Sequence, residues 1–261
     1  MNRPHIIIRP VSSTAKIDLE ITLFSVWHFL YIFLILGAIF LGAYLLKNKS
    51  KEIRRSVLST ISTLIVVTYL GDFFVHPFVY GEMNIDKLPF HICTALCPII
   101  AFTQFHKKFD KIKEPVTVLA IVAPLMYITY PGSALGGVSP LDYVVVQTFL
   151  YHGLVLAWGV LRLTTQETKF EYKNVWKALI MICCIALWAG LGNVIYNNFT
   201  DHHFDWFFLT GSTFPFVPTP LMPLAVIVAV FGMVNIIYGI YYGINHYLNK
   251  NAKPNEVLKT A

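Results

Sequence analysis

Charge is scarce in this sequence. Lys, Arg, Asp and Glu make up 13% of its 261 residues, about half of the roughly 25% usual for soluble domains. The mean hydropathy is +0.61, and aromatic residues reach 15%. A water-soluble fold of this size has no way to hide so much apolar surface. Cysteine is also sparse, and the four present, Cys93, Cys97, Cys183 and Cys184, all fall inside apolar segments. That excludes the disulfide framework of a small secreted protein. There is no Gly-rich phosphate loop, no G-x-S-x-G elbow and no H-E-x-x-H zinc motif, so three common enzyme signatures are missing. No RNA- or DNA-binding motif accompanies the net charge of +6, whose Lys and Arg fall in short clusters between apolar runs, so nucleic acid is not expected as a partner. No cofactor is implied. The chain contains no convincing internal repeat and no low-complexity linker.

Long apolar runs are what it has. A spanning helix needs about 20 predominantly apolar residues. Seven segments qualify or nearly do: 23–46, 57–80, 86–105, 115–130, 140–163, 175–196 and 221–247. The first is too long for a signal-peptide core and lacks a small-residue cleavage site, so it reads as a retained helix. The expectation is an all-α, polytopic integral membrane bundle of seven transmembrane helices. Residues 1–22 would form an extracytoplasmic segment, 23–247 the membrane domain and 248–261 a cytoplasmic tail. The fourth segment is short and the third is interrupted by Pro98, so these two are alternatively a re-entrant hairpin covered by protein. Ser139-Pro140-Leu141-Asp142 reads as the start of the fifth helix, and Pro131-Gly132 as the end of the fourth. The prolines at 215, 218, 220 and 223 make the stretch before the last helix a loop.

Orientation follows from the basic residues. The connections after helices 1, 3 and 5, the last with the start of helix 6, and the C-terminal tail hold 16 of the 20 Lys and Arg, while Arg3, Arg9, Lys16 and Lys87 lie on the other side. The positive-inside rule places the N-terminus outside and the C-terminus in the cytoplasm of a cell-membrane protein.

Polar residues interrupt the apolar runs. Asp72 and His76 share a face near the outer end of helix 2, and a carboxylate there would fix a histidine tautomer. His91 and Cys93 lie in the first turns of helix 3, Gln147 and His152 in helix 5, Asn193 and Asn197 in helix 6, and His28 in helix 1. At about 1.5 Å per residue, His152 would lie roughly 18 Å below a helix start at Pro140. These groups concentrate in the outer half of the bundle, the layout of a cavity open to the outside or to the outer leaflet. The structural alternative is interhelical hydrogen bonding, which serves Gln147, Asn193 and Asn197 equally well. Asp201, His202, His203 and Asp205 have metal-ligand chemistry, but their spacing matches no zinc signature, and no metal site is assigned.

The same positions carry a resemblance. Phe24-Ser25-Val26-Trp27-His28, Leu88-Pro89-Phe90-His91-Ile92-Cys93, the run from Gln147 to His152-Gly153, and Asn193 to Phe199 resemble motifs of the YwaF family of bacterial multi-pass membrane proteins. That family is similar to the eukaryotic transmembrane protein 164 group, which is linked to acyl transfer between phospholipids. The resemblance implies His91 and His152 as general-base candidates. The eukaryotic group is expected to carry its cysteine nucleophile immediately before the helix 3 histidine. Here that position is Phe90, and the nearest cysteine is Cys93.

The resulting expectation is an intramembrane acyltransferase or acyl-ester hydrolase acting on membrane lipids. Histidine would be the base, Asp72 or Gln147 the orienting group, and Cys93, Thr94 or water the nucleophile. His76 would join the catalytic group, and His28, Gln147, Asn193 and Asn197 would bind substrate. The alternatives are a transporter or lipid-binding protein using the same cavity without covalent chemistry, and a structural subunit of a membrane complex.

Overall fold

The computed structural model describes residues 20–131, 138–200, 203–209 and 217–252. Among them, all seven expected helices are present: α1 (Val26–Leu46), α2 (Lys51–Tyr80), α3 (Ile92–Phe105), α4 (Lys113–Thr129), α5 (Tyr143–Thr164), α6 (Val175–Phe199) and α7 (Met222–Ala252). Six are long and apolar enough to cross a membrane, α4 together with the 3-10 turns before it. α3 is the exception. Its 14 residues rise only about 21 Å, less than the roughly 30 Å of a hydrocarbon core.

Hydropathy alone predicts one helix over residues 86–105. The structure breaks this segment into a 3-10 turn, Ile85–Lys87, an extended link and then α3. Pro89 supplies the reason. A proline drives the residue before it out of the helical region, and Leu88 sits at φ −55°, ψ 154°. A second correction concerns α5, which starts at Tyr143 rather than Pro140. Asp142 is its N-cap, its carboxylate accepting the Val144 N–H at 3.0 Å, while Ser139 and Pro140 belong to the preceding turn. His152 is therefore about 14 Å along its helix from the start, and not 18 Å.

α4 and α5 are the centre of the bundle. The α4 run Val116–Ala123 is buried all round, as a helix surrounded by other helices must be. α5 meets it closely at Gly159, where a Cβ would come within 2.9 Å of Ile121 and 3.1 Å of the Ala120 backbone. α1 lies at the periphery and turns large apolar side chains outward, with Phe33 72% and Phe40 75% exposed. Only lipid accommodates such a face.

Candidate functional site

The polar centre lies where α2, the Ile85–Lys87 turn and α5 meet. Asp72, buried on α2, accepts a hydrogen bond from the Tyr143 hydroxyl at 2.8 Å. Its other carboxylate oxygen faces the Lys87 ammonium at 3.8 Å and has no hydrogen-bond partner, so Lys87 reaches it as a charge and not as a donor. Lys87 donates instead to Gln147 Oε1 at 2.7 Å, with Thr148 Oγ1 at 3.4 Å. The Tyr69 hydroxyl fixes the turn by donating to the Lys87 carbonyl. Lys87 is the group that sequence reasoning missed, having been counted as a loop charge. A signal existed: Asp72 at membrane depth requires a cation, and Lys87 is the only Lys or Arg between α2 and α3.

His152 adjoins this network. Its Nδ1 lies 2.8 Å from the Thr148 carbonyl. A carbonyl only accepts, so Nδ1 carries the proton, and in the neutral ring Nε2 is the basic atom. Tyr127 of α4 stacks on the ring at 3.9 Å with the planes 5° apart. The imidazole is thus held in one tautomer and one orientation. The preceding residue, Tyr151, donates from its hydroxyl to the Cys93 carbonyl at 2.8 Å, which ties the first turn of α3 to this part of α5. Cys93 itself is buried. The Thr94 hydroxyl is taken up by the start of α3, 3.0 Å from the carbonyls of Leu88 and His91.

The expected Asp72–His76 pairing is not made. His76 Nδ1 bonds the Glu82 carbonyl at 2.8 Å, a group presented where Gly81 ends α2 in the left-handed conformation at φ 80°. The lysine captures the carboxylate and the turn captures the histidine.

His28, the two helix 6 asparagines and His91 are bonded to backbone. His28 Nε2 lies 2.8 Å from the Ile128 carbonyl, and its Nδ1 accepts the Phe24 N–H at 3.1 Å. Both ring nitrogens are used. Asn193 brackets Trp206, accepting its N–H at 2.8 Å and donating to its carbonyl at 3.1 Å. Asn197 treats Phe204 the same way, at 2.6 and 2.9 Å. One helical turn, about 5.4 Å, nearly matches two residues of extended chain, about 6.6 Å, so asparagines four apart can hold residues two apart. The clamped loop bends through Phe207 and Phe208 at φ 63° and 57°, a conformation costing about 1–2 kcal/mol per residue. His91 Nδ1 accepts the Phe207 N–H at 3.2 Å, so its lone pair at that atom is engaged.

An aromatic stack backs the clamp. Trp206 lies 4.7 Å from both Phe90 and Phe204 between ring centroids. Gly192 makes room for it: a Cβ there would sit 2.5 Å from the Phe90 ring. Gly192→Ala is therefore expected to destabilise the protein by about 1–3 kcal/mol, the usual cost of overpacking. A thermal midpoint in detergent equal to wild type would contradict this packing.

Buried polar groups are not confined to one end of the bundle. At the opposite end of the bundle, the buried Arg162 donates to Thr168 Oγ1 at 2.7 Å and to Gln104 Oε1 at 3.2 Å, and lies 4.8 Å over the Trp158 ring. These residues sit at the ends of apolar runs and read as loop charges from the sequence alone. In the loop after α6, Asp201 and His202 lie outside the described residues. Among the described residues no group of three His, Cys, Asp or Glu is placed to hold a metal ion.

No curated protein and no solved structure matches the chain. A family model, that of the TMEM164 family, matches residues 23–241. That interval runs from the start of α1 almost to the end of α7 and contains Asp72, Lys87 and His152, so the chain is a multi-pass membrane protein that belongs to the TMEM164 family.

Proposed function

We propose that this protein moves acyl chains of membrane lipids, with His152 as the general base. The observation that carries the reading is the fixed imidazole: Nδ1 is committed to the Thr148 carbonyl, which leaves Nε2 as the basic atom. Cys93, tied to α5 through Tyr151, is the proposed nucleophile. His152 Nε2 takes the thiol proton, and the thiolate adds to a lipid ester carbonyl. The tetrahedral species expels the lyso-lipid alkoxide, which recovers the proton from His152, and leaves a thioester. An acceptor hydroxyl or water then discharges it by the reverse sequence. Lys87 supplies positive charge for the developing oxyanion. Asp72 and Gln147 position Lys87. His28, Asn193 and Asn197 hold backbone and not substrate, and His91 helps to seat the outer loop. The test is transfer of a labelled acyl chain between phospholipids by purified protein in nanodiscs.

A second reading rests on the Asp72–Lys87 pair. A buried ion pair between a helix and a reverse turn also suits proton-coupled transport or lipid binding without covalent chemistry. Under that reading the labelled chain never leaves its glycerol.

The orientation proposed for the bundle puts the N-terminus outside and the C-terminus in the cytoplasm. Reporter fusions after Arg55, Lys111, Lys169 and Lys253 are then expected to read cytoplasmic, and one after Pro218 external. A cytoplasmic signal at Pro218 would reverse the assignment.

A further inference from the structure

Away from the histidines, α6 and the short α3 enclose a groove of about 830 Å³ that none of the site residues lines. Its walls are apolar, with Ala95, Pro98 and Ile99 of α3 facing Ile180, Met181 and Ile185 of α6. Trp188 lies at one end and Lys177 at the other, joined on that side by Lys111. The α6 members recur at helical spacing, so the groove follows that helix. From Lys177 to Trp188 is eleven residues, about 16 Å. Half of a roughly 30 Å hydrocarbon core is about 15 Å. The groove is thus one leaflet deep, with cations at its headgroup end.

Those cations are available. The acids of that end are already engaged: Asp110 pairs with Lys113 and Glu171 with Lys173, Glu167 pairs with Arg55, and Glu114 accepts from Asn174 and Tyr238. Lys173 holds the Glu171 carboxyl below the usual carboxylate range. Among the described residues neither Lys111 nor Lys177 has a carboxylate within 4 Å. Lys177 instead lies 6.0 Å over the Trp176 ring, and indoles favour the headgroup region of a bilayer.

We infer that this groove is a binding site for one anionic phospholipid, an acyl chain lying along α6 between Ile180 and Trp188 and its phosphate headgroup held by Lys111 and Lys177. On the orientation proposed above, the lipid belongs to the cytoplasmic leaflet. Its volume lies within the usual range for small-molecule sites, about 300–1,000 Å³. Apolar walls alone would accept any lipid, and the two lysines select for negative charge, each by roughly fivefold.

The test uses full-length protein in mild detergent, given equimolar phosphatidylglycerol and phosphatidylcholine with identical acyl chains and read by native mass spectrometry. Phosphatidylglycerol is expected to be retained over phosphatidylcholine by roughly 25-fold. Lys111→Ala with Lys177→Ala should bring the ratio close to one, whereas Lys107→Ala with Lys108→Ala, outside the groove, should keep most of it. Ile180→Trp fills the groove and leaves both lysines, and it should remove the bound lipid. If that variant does not fold, alkylation of the exposed Cys184, which also lines the groove, provides the same obstruction. Equal retention of the two lipids overturns the inference, as does a preference that survives the groove block, which would be surface attraction alone. A protein dimer lost on blocking the groove, without lipid adducts, also overturns it by making a second copy the occupant. Binding is read without turnover, so the result does not depend on the acyl-transfer proposal.

Discussion

Replacing His152 with alanine is expected to lower acyl transfer by about 10²–10⁴-fold, the range for a general base. The side chain makes one hydrogen bond, to a carbonyl of its own helix, and one stack, on Tyr127. Its loss leaves Thr148 O inside a helix, where that carbonyl still has a backbone partner at residue 152, so insertion and folding should survive. His91→Ala should act differently. It releases the Phe207 N–H from a loop already held by two asparagines, and a smaller effect should follow. Cys93→Ser separates the mechanisms, because the base that ionises a thiol rarely ionises a hydroxyl. A cysteine nucleophile loses most activity under this change, whereas water as nucleophile tolerates it. The measurement is transfer of labelled acyl chain in nanodiscs, alongside a folding control by size-exclusion profile and thermal midpoint. Full activity in both the His152 and His91 variants would remove the catalytic reading and leave transport or binding.

The helices were legible because apolar length is a strong signal, and Ser25 caps α1 as a short polar residue before an apolar run should. The break before α3 was less visible. Hydropathy runs almost unbroken across residues 86–105, and only Pro89 marks the change in backbone direction. Charges near segment ends caused two errors of the same kind. Lys87 and Arg162 both read as loop cations, yet each points into the bundle, where a neighbouring helix supplies its partners. No local pattern reveals that, because the partners Asp72 and Gln104 lie 15 and 58 residues away. Asn193 and Asn197 fall in α6, the helix the sequence assigns them to. Their spacing fits a substrate site and a backbone clamp equally, and what decides is the irregular segment at Phe204–Trp206, whose path has no signature of its own. His28 shows the same limit: its Ile128 partner is a backbone carbonyl, available at any residue type. The helix that carries each residue could be read from the sequence, but the partners could not.

The Asp72–Lys87 pair should respond to mutation as one unit. In Lys87→Met, the Asp72 carboxylate keeps only the Tyr143 hydroxyl at 2.8 Å and loses the nearby positive charge. Removing one partner of a buried pair commonly costs about 3–5 kcal/mol, since the remaining charge is neither solvated nor neutralised. Asp72→Asn strands the Lys87 ammonium in the same way, although Gln147 and Thr148 still bond it, so its cost should be the smaller. The double variant Asp72→Asn with Lys87→Met removes both charges. Its loss of stability should be smaller than the sum of the two single losses by about 0.5–3 kcal/mol, the range for coupled neighbours. Thermal unfolding of the four proteins in one detergent gives the cycle. Additive losses would mean that 3.8 Å is too far for this pair to act as a unit, and that Gln147 and Thr148 alone place the lysine. The acyl-transfer assay on the same proteins adds a separate readout. If Lys87 supplies charge to the oxyanion, the double variant should regain stability but not turnover, an outcome that a purely structural ion pair would not produce.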